Sequence, residues 1–308
     1  MRIVVVDPSR TVLKIVAQLL AARDYEVHPF TDGLSALEHI KADPNIDALI
    51  TSVELGSMSG MDLCKKVRLL SPNRQPIYVV LMSANYEPRR LIEALNNGAD
   101  DFIGKPPATE ELYARLRAAE RFGAMQRELV RMATTDPLSG LLNRRAFFEK
   151  AREVCASWDG PLSSLMFDVD HFKRINDNFG HGIGDDVIRS IGSEVMSEEG
   201  FAGRLGGEEF AIVLQYRTLA DAIEVAERLR LKFAELCLGT TEKPIRFTCS
   251  FGVSERRVGE VVDELLKRAD AALYSAKRTG RNRVMAENAI PPADDCDKKS
   301  SVIRVVAR

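Results

Sequence analysis

Arg204-Leu205-Gly206-Gly207-Glu208-Glu209-Phe210-Ala211-Ile212-Val213-Leu214 sets two adjacent glycines between two short apolar runs, 201–205 and 210–214. Such runs read as two strands joined by a tight hairpin. Glycine enters positive φ without a Cβ penalty and lets a ligand come close to the backbone. Glu208 and Glu209 then fall at the hairpin tip. Upstream, Leu165-Met166-Phe167-Asp168-Val169-Asp170-His171-Phe172-Lys173 is an apolar strand that ends in carboxylates. A strand-end carboxylate beside a turn carboxylate offers hard oxygen ligands to a divalent cation bound to nucleotide phosphates. Taken alone, Gly-Gly-Glu-Glu is as readily a solvated acidic turn, so the surrounding blocks decide.

Those blocks follow one another in order. Asp136-Pro137-Leu138-Ser139-Gly140-Leu141-Leu142-Asn143-Arg144-Arg145 comes first. The run from Asp168 to Asp177 leads into Gly180-His181 and Gly184-Asp185. After the hairpin come Thr248-Cys249-Ser250-Phe251-Gly252-Val253 and the stretch from Ala269-Asp270 through Tyr274, Lys277 and Gly280-Arg281-Asn282-Arg283. With them, residues 136–285 resemble the GGDEF domain of diguanylate cyclases. The apolar pattern there reads α-β-α-α-β-β-α-β-α with a final short strand. The resemblance implies an α/β nucleotidyl-cyclase-like fold around a mainly antiparallel sheet. It also implies condensation of two GTP into cyclic di-GMP and two pyrophosphates across a homodimer.

Site roles carry over position by position. Asp168 and Glu208, with the Val169 backbone carbonyl, match the metal ligands, the expected ion being Mg²⁺ or its substitute Mn²⁺. Glu208 also stands where the family places the proton acceptor for the ribose 3′-OH. Gly207, the amides around His171 and Phe172, and the cations Lys173, Lys277 and Arg281 match the phosphate contacts. Lys277 and Arg281 are four apart and share a face if their helix persists; read alone they are solvated cations. Asn176 and Asp185 match the guanine readers. Asp accepts from N1–H and N2–H, donors that adenine lacks, and Asn donates to an acceptor. Their bland readings are helix caps. His181 is equally a structural histidine. Asp170 either assists the metal or caps the next helix, the cap being preferred.

Many family members carry an inhibitory Arg-x-x-Asp before the hairpin, where this chain has Ser197-Glu198-Glu199-Gly200. Two acids there repel a phosphate-bearing product, so weak product inhibition is expected. Arg228 matches the secondary inhibitory arginine, although read alone it is a surface residue.

The 308 residues suffice for two domains, and 45% apolar with 29% charged content is that of a soluble globular chain. A formal net charge of −2 excludes a global basic field, so neither nucleic acid nor membrane is an expected partner. No apolar run approaches the ~20 residues of a membrane span, and the first residues lack a signal-peptide layout. Cys64, Cys155, Cys237, Cys249 and Cys296 form no C-x-x-C pair and read as free buried thiols. A cytoplasmic location is expected.

Residues 1–121 alternate β-branched runs (3–6, 27–30, 48–51, 77–82, 102–103) with amphipathic stretches (11–23, 34–41, 61–70, 89–97, 109–121). That alternation predicts a doubly wound parallel sheet with its site at the carboxyl ends of the strands. With Lys105-Pro106 after the fifth strand, it resembles the flavodoxin-like receiver domain of two-component response regulators. The receiver's catalytic set is depleted. Asp7 remains, Pro8 replaces the second acid, Ser52 stands where the phosphoaccepting Asp belongs, and Ser83 and Lys105 complete the set. A serine without a neighbouring base is not an activated nucleophile, so a pseudo-receiver that controls dimerisation without phosphorylation is expected. A regulatory protein or ligand at this domain is an implied partner. Pro8 suits the first position of a helix.

Leu112, Leu116, Ala119, Phe122, Met125, Leu129 and Met132 continue an apolar stripe, interrupted by Gly123, into a helical linker over 122–135. The second domain spans 136–286. A flexible tail over 287–308 contains Pro291-Pro292 and a short apolar end at 301–308. The rival readings are a catalytically inactive GTP or cyclic di-GMP receptor, a phosphorylation-gated regulator and a DNA-binding regulator. Retention of every metal acid, Ser52, and the lack of an unassigned basic domain weigh against them in turn.

Overall fold

The computed structural model describes residues 1–70, 76–85, 87–240 and 243–287, in two units, Met1–Arg131 and Met132–Arg308. In the first, β-branched runs form β1 (Arg2–Val6), β2 (Glu26–Phe30), β3 (Ala48–Ser52), β4 (Tyr78–Ser83) and β5 (Asp101–Gly104). They make one parallel sheet in the order β2-β1-β3-β4-β5. The helices α1 (Arg10–Ala21), α2 (Gly33–Ala42), α3 (Gly60–Arg68), α4 (Pro88–Asn96) and α5 (Thr109–Thr134) connect and follow these strands. Apolar residues fill both faces of the sheet, one cluster around Val4, Leu49 and Leu81, the other around Ile3, Ile50 and Leu116. This is the doubly wound arrangement that the alternating pattern predicts.

Two details depart from expectation. Ser9 caps α1, its hydroxyl accepting from the Val12 amide, so Pro8 lies outside the helix rather than at its first turn. The stripe on α5 divides: Leu112, Leu116 and Ala119 are buried, whereas Met125, Leu129 and Met132 are exposed. Gly123 does not break the helix.

The second unit comprises β6 (Leu142–Asn143), α6 (Arg144–Ser157), β7 (Leu162–Val169), α7 (Phe172–Phe179), α8 (His181–Val195), β8 (Phe201–Gly206) and β9 (Glu209–Gln215). There follow α9 (Leu219–Glu235), β10 (Leu238–Thr240), β11 (Lys243–Ile245), β12 (Cys249–Glu255), α10 (Val262–Arg278) and β13 (Val284–Ala286). The six-stranded sheet runs β13-β12-β7-β9-β8-β6. Its four central strands are antiparallel, with parallel strands β13 and β6 at the edges. Strand β6 and the β10–β11 hairpin were not expected, because strands of two or three residues carry no period.

All eight residues of β7 are buried, as a central strand covered on both faces requires. Phe167 pairs in register with Phe210 on one side and Phe251 on the other. The three rings stack, with centroids 5.1 and 4.8 Å apart. Because a slip of one residue would turn every side chain to the opposite face, this ladder fixes the register. The next residue, Asp168, is thereby set opposite Glu209 and Ser250.

The thiols are less uniformly buried than expected: Cys64 and Cys249 are buried, Cys155 is half-buried and Cys237 is exposed. The expected tail and its apolar end, like Cys296, fall almost wholly outside the described residues. Among the described residues no helix is long and apolar enough to cross a membrane.

Candidate functional site

The β8–β9 hairpin turns through Gly206 (φ 157°) and Gly207 (φ 47°), the latter in the left-handed region that glycine favours. Among the described residues, apart from each glycine and its two chain neighbours, no heavy atom lies within 4 Å of where a Cβ would sit on either glycine. The tip is therefore held through hydrogen bonds to its carbonyls. The Glu208 carbonyl accepts from the Val169 amide at 3.4 Å, and the Gly207 carbonyl accepts from Arg204 Nε at 2.8 Å.

Asp168 is 6% exposed, and Lys277 Nζ lies 2.8 Å from its Oδ2. Burial is the main influence raising its pKa to about 6; the Lys277 ammonium opposes the rise, and Glu208 and Glu209 add to it. The structure thus brings Asp168, Glu208 and Lys277 together. Half-buried Glu208 stands close enough to act on the Asp168 charge.

Beyond β7, His171 adopts the left-handed conformation (φ 57°, ψ 30°) and leads directly into α7, with Phe172 as its first residue and exposed Lys173 as its second. Asn176 lies inside α7 and Asp185 inside α8, whose N-cap is Gly180. Neither residue is a cap, so the bland reading fails for both. Gly184 lets the two helices meet: the Asn176 Oδ1 lies 2.0 Å from where its Cβ would be. Both side chains are half-buried and form no hydrogen bond within the described residues.

Two expectations fail here. The helix holding Lys277 ends at Arg278, and Gly280 (φ 120°) and Arg281 (φ 58°) turn the chain away. Lys277 and exposed Arg281 therefore do not share a helical face. Asp170 does not cap α7 either. Its carboxylate accepts from Thr248 Oγ1 (2.7 Å), Ser250 Oγ (2.6 Å) and the Asn282 amide (3.0 Å), tying β7 to β12 and to the turn after α10. The sequence signal was the pairing of Asp170 with hydroxyls at 248 and 250, visible only once the strands are in register.

Arg228 on α9 is not a free cation. Its Nη2 and Nε contact Glu198 at 2.5 and 3.4 Å, so any anion reaching it competes with a carboxylate. Glu199 is likewise paired with Arg217.

At the carboxyl end of the receiver sheet, Asp7, Ser52 and Ser83 are fully buried. Lys105 Nζ lies 2.7 Å from Asp7 Oδ2 and 3.4 Å from Ser52 Oγ, while the Ser9 amide donates to the other Asp7 oxygen at 2.8 Å. Arg90 Nη1 donates to Ser83 Oγ at 3.3 Å and pairs with exposed Glu54 at 2.7 Å. Lys105 thus bridges the buried Asp7 carboxylate and the buried Ser52 hydroxyl.

Residues 133–283 match the family described as the diguanylate cyclase GGDEF domain, and residues 3–117 match the response regulator receiver domain. The response regulator PleD of Caulobacter vibrioides is 31% identical over 304 residues, covering 94% of this chain and 66% of PleD. The diguanylate cyclase VdcA of Vibrio cholerae is 39% identical over 175 residues, 55% of this chain and 50% of VdcA. This chain thus spans just under two thirds of the one relative and half of the other. The crystal structure of the coiled coil and GGDEF domain of DgcB from Caulobacter crescentus, in complex with c-di-GMP, matches with a TM-score of 0.52 and 35% identity. That match covers 57% of this chain and 98% of the DgcB chain. With both matches falling on the two sheets described above, the chain joins a domain of the response regulator receiver family to a domain of the diguanylate cyclase GGDEF family.

Proposed function

We propose that this chain is a diguanylate cyclase. Two copies, each holding one GTP, meet as a homodimer; each ribose 3′-OH attacks the α-phosphorus of the other GTP, and two pyrophosphates leave as cyclic di-GMP forms. The observation that carries this reading is the buried strand-end Asp168, set in register beside the Gly-Gly-Glu-Glu tip and paired with Lys277. The donor set fits a divalent cation: a carboxylate at the cost of burial, with a second acid beside it, is stabilised by a hard positive charge. Among the described residues no three His, Cys, Asp or Glu side chains converge on one point, and Mg²⁺ is ordinarily held by one or two carboxylates with phosphate oxygens completing its shell. Asp168, Glu208 and the Val169 carbonyl would hold Mg²⁺ or Mn²⁺, which supplies neutralisation of phosphate charge.

The remaining work falls to the chain itself. Lys277 exchanges Asp168 for phosphate oxygens, with exposed Lys173 and Arg281 adding positive charge. The amides at His171 and Phe172 open α7 toward the same anions. Glu208 accepts the 3′-OH proton. Asn176 and Asp185, on helices that meet where Asn176 packs against Gly184, read the guanine edge. Incubation of the full chain with Mg²⁺ and GTP, with chromatographic resolution of products, tests the proposal, and absence of cyclic di-GMP refutes it. Asp185→Ala should weaken GTP binding by about 1–3 kcal/mol, the scale for stranding buried hydrogen-bonding groups. Calorimetric titration with GTP checks this, and an unchanged affinity would remove Asp185 from the guanine pocket.

The receiver is proposed to act without phosphorylation, through dimer geometry and a protein or ligand partner. Ser52 offers no carboxylate, and Asp7 is occupied by Lys105. Acetyl phosphate or beryllofluoride should change neither oligomeric state nor activity. The exposed α5 residues Met125, Leu129 and Met132 support pairing with a second copy. Sedimentation with and without beryllofluoride decides: a monomer that dimerises only with the phosphoryl mimic overturns the pseudo-receiver reading.

A further inference from the structure

The hairpin tip carrying Glu208 has open space around both glycines, yet a catalytic acid must be placed to within a fraction of an ångström. Besides the Val169 amide bond to the Glu208 carbonyl, a chain of polar contacts that begins far away in sequence reaches this tip. Arg204 on β8 forks between two acceptors. Its Nε donates to the Gly207 carbonyl at 2.8 Å, and its Nη1 reaches both carboxylate oxygens of Asp136, at 3.1 and 3.2 Å. Asp136 is itself fixed by the amide and hydroxyl of Ser139, each donating at 2.8 Å. Burial works against the Asp136 charge, but the Ser139 donors and the guanidinium outweigh it and hold the carboxyl below the usual carboxylate range. Both side chains are largely enclosed, at 16% exposure for Arg204 and 20% for Asp136.

The β8–β9 ladder cannot do this by itself. Its register shifts between Arg204 and Gly206, so the strand pairing loosens one residue before the tip. The guanidinium fork bridges that irregularity, which a point-charge lysine cannot do.

We propose that Arg204, oriented by Asp136, is a positioning residue for Glu208, setting the tip of the hairpin through the Gly207 carbonyl. The inference rests on the cyclase reading of the site. It also gives the turn after α5 a direct mechanical line to the proton acceptor. Asp136 lies two residues beyond the end of α5, and the Ala133 carbonyl in the last turn of that helix accepts from Asn143 Nδ2 at 2.8 Å.

The test compares Arg204→Lys and Asp136→Asn with the wild-type full chain. The asparagine introduced by the second substitution would still accept from Ser139, so that variant keeps the turn. In each, kcat should fall about 10²-fold, the penalty typical of an ångström-scale misplacement, while GTP affinity stays within about twofold because α7 and α8 are untouched. The double variant should be scarcely worse than either single one, since both break the same line of contacts. Amide exchange at 206–209 should quicken about tenfold while β7 and β12 keep their protection. The proposal is overturned by an Arg204→Lys protein with wild-type kcat, or by loss of protection in β7 and β12 equal to that at the tip. If the wild-type chain makes no cyclic dinucleotide, the cyclase reading fails instead. Tip exchange still judges the clamp, and unchanged exchange in both variants refutes it.

Discussion

Glu208→Gln should lower cyclic di-GMP formation about 10³-fold while leaving the fold intact. The side chain is half-buried at the hairpin tip, close enough to Asp168 for its charge to raise that residue's pKa. Glutamine keeps the shape and removes both the negative charge and the proton-accepting oxygen. Loss of a general base alone costs about 10²–10⁴-fold, and loss of charge at the metal adds to it. The strands on either side are unaffected, because the tip is held through the Gly207 and Glu208 carbonyls and not through the side chain. Product formation by chromatography and an unchanged circular dichroism melt would be measured together. A folded variant that retains more than about a tenth of wild-type turnover would remove Glu208 from the chemistry.

Asp168→Asn should abolish activity to a similar extent and, with no metal or nucleotide bound, make the second unit more stable at pH 8. The folded-state pKa of about 6 lies above the ordinary value of 3.8, chiefly because burial disfavours the charge. The folded state therefore holds that proton more tightly than the unfolded chain does. The resulting stabilisation is complete below about pH 4 and is lost as pH rises through about 6. The difference corresponds to roughly 3 kcal/mol. Asparagine carries no such penalty and can still accept from Lys277. Denaturant unfolding in EDTA at pH 5 and pH 8 checks the expectation, with Trp158 as the probe. It is the only tryptophan in the chain and belongs to the second unit, so its fluorescence reports that unit selectively. The variant should gain about 1–3 kcal/mol at pH 8 and about half as much at pH 5. A variant less stable than wild type at pH 8 would show that Lys277 outweighs the cost of burial.

The parts of the fold that were legible in the sequence are those written in periodicity and glycine placement. The β-branched runs of the receiver and the paired runs around Gly206-Gly207 each announce a strand, because burial on both faces selects such residues. What was not legible depends on contacts between distant residues or on one-residue backbone choices. The four-residue spacing of Lys277 and Arg281 implied a shared face, but the positive φ at Gly280 ends that inference. Pro8 suggested a helix start, and the Ser9 hydroxyl moved it two residues on. Asp170 resembled a cap, yet its partners are hydroxyls 78 and 80 residues away. The Asp136–Arg204 contact spans 68 residues and left no local trace.

The phenylalanine ladder has a consequence for how this site can change over time. Strand register is a discrete quantity, so Asp168 can sit only at whole-residue positions relative to its neighbours. Substitutions in the core around Phe167, Phe210 and Phe251 either keep that position or lose it altogether. The glycine tip is different, since among the described residues no side chain fills the space beside Gly206 and Gly207, and hydrogen bonds to carbonyls, which can lengthen by degrees, hold it instead. One half of the acid pair is thus digital and the other analogue. Gradual adjustment of the site, in nature or in the laboratory, has to be made from the hairpin side.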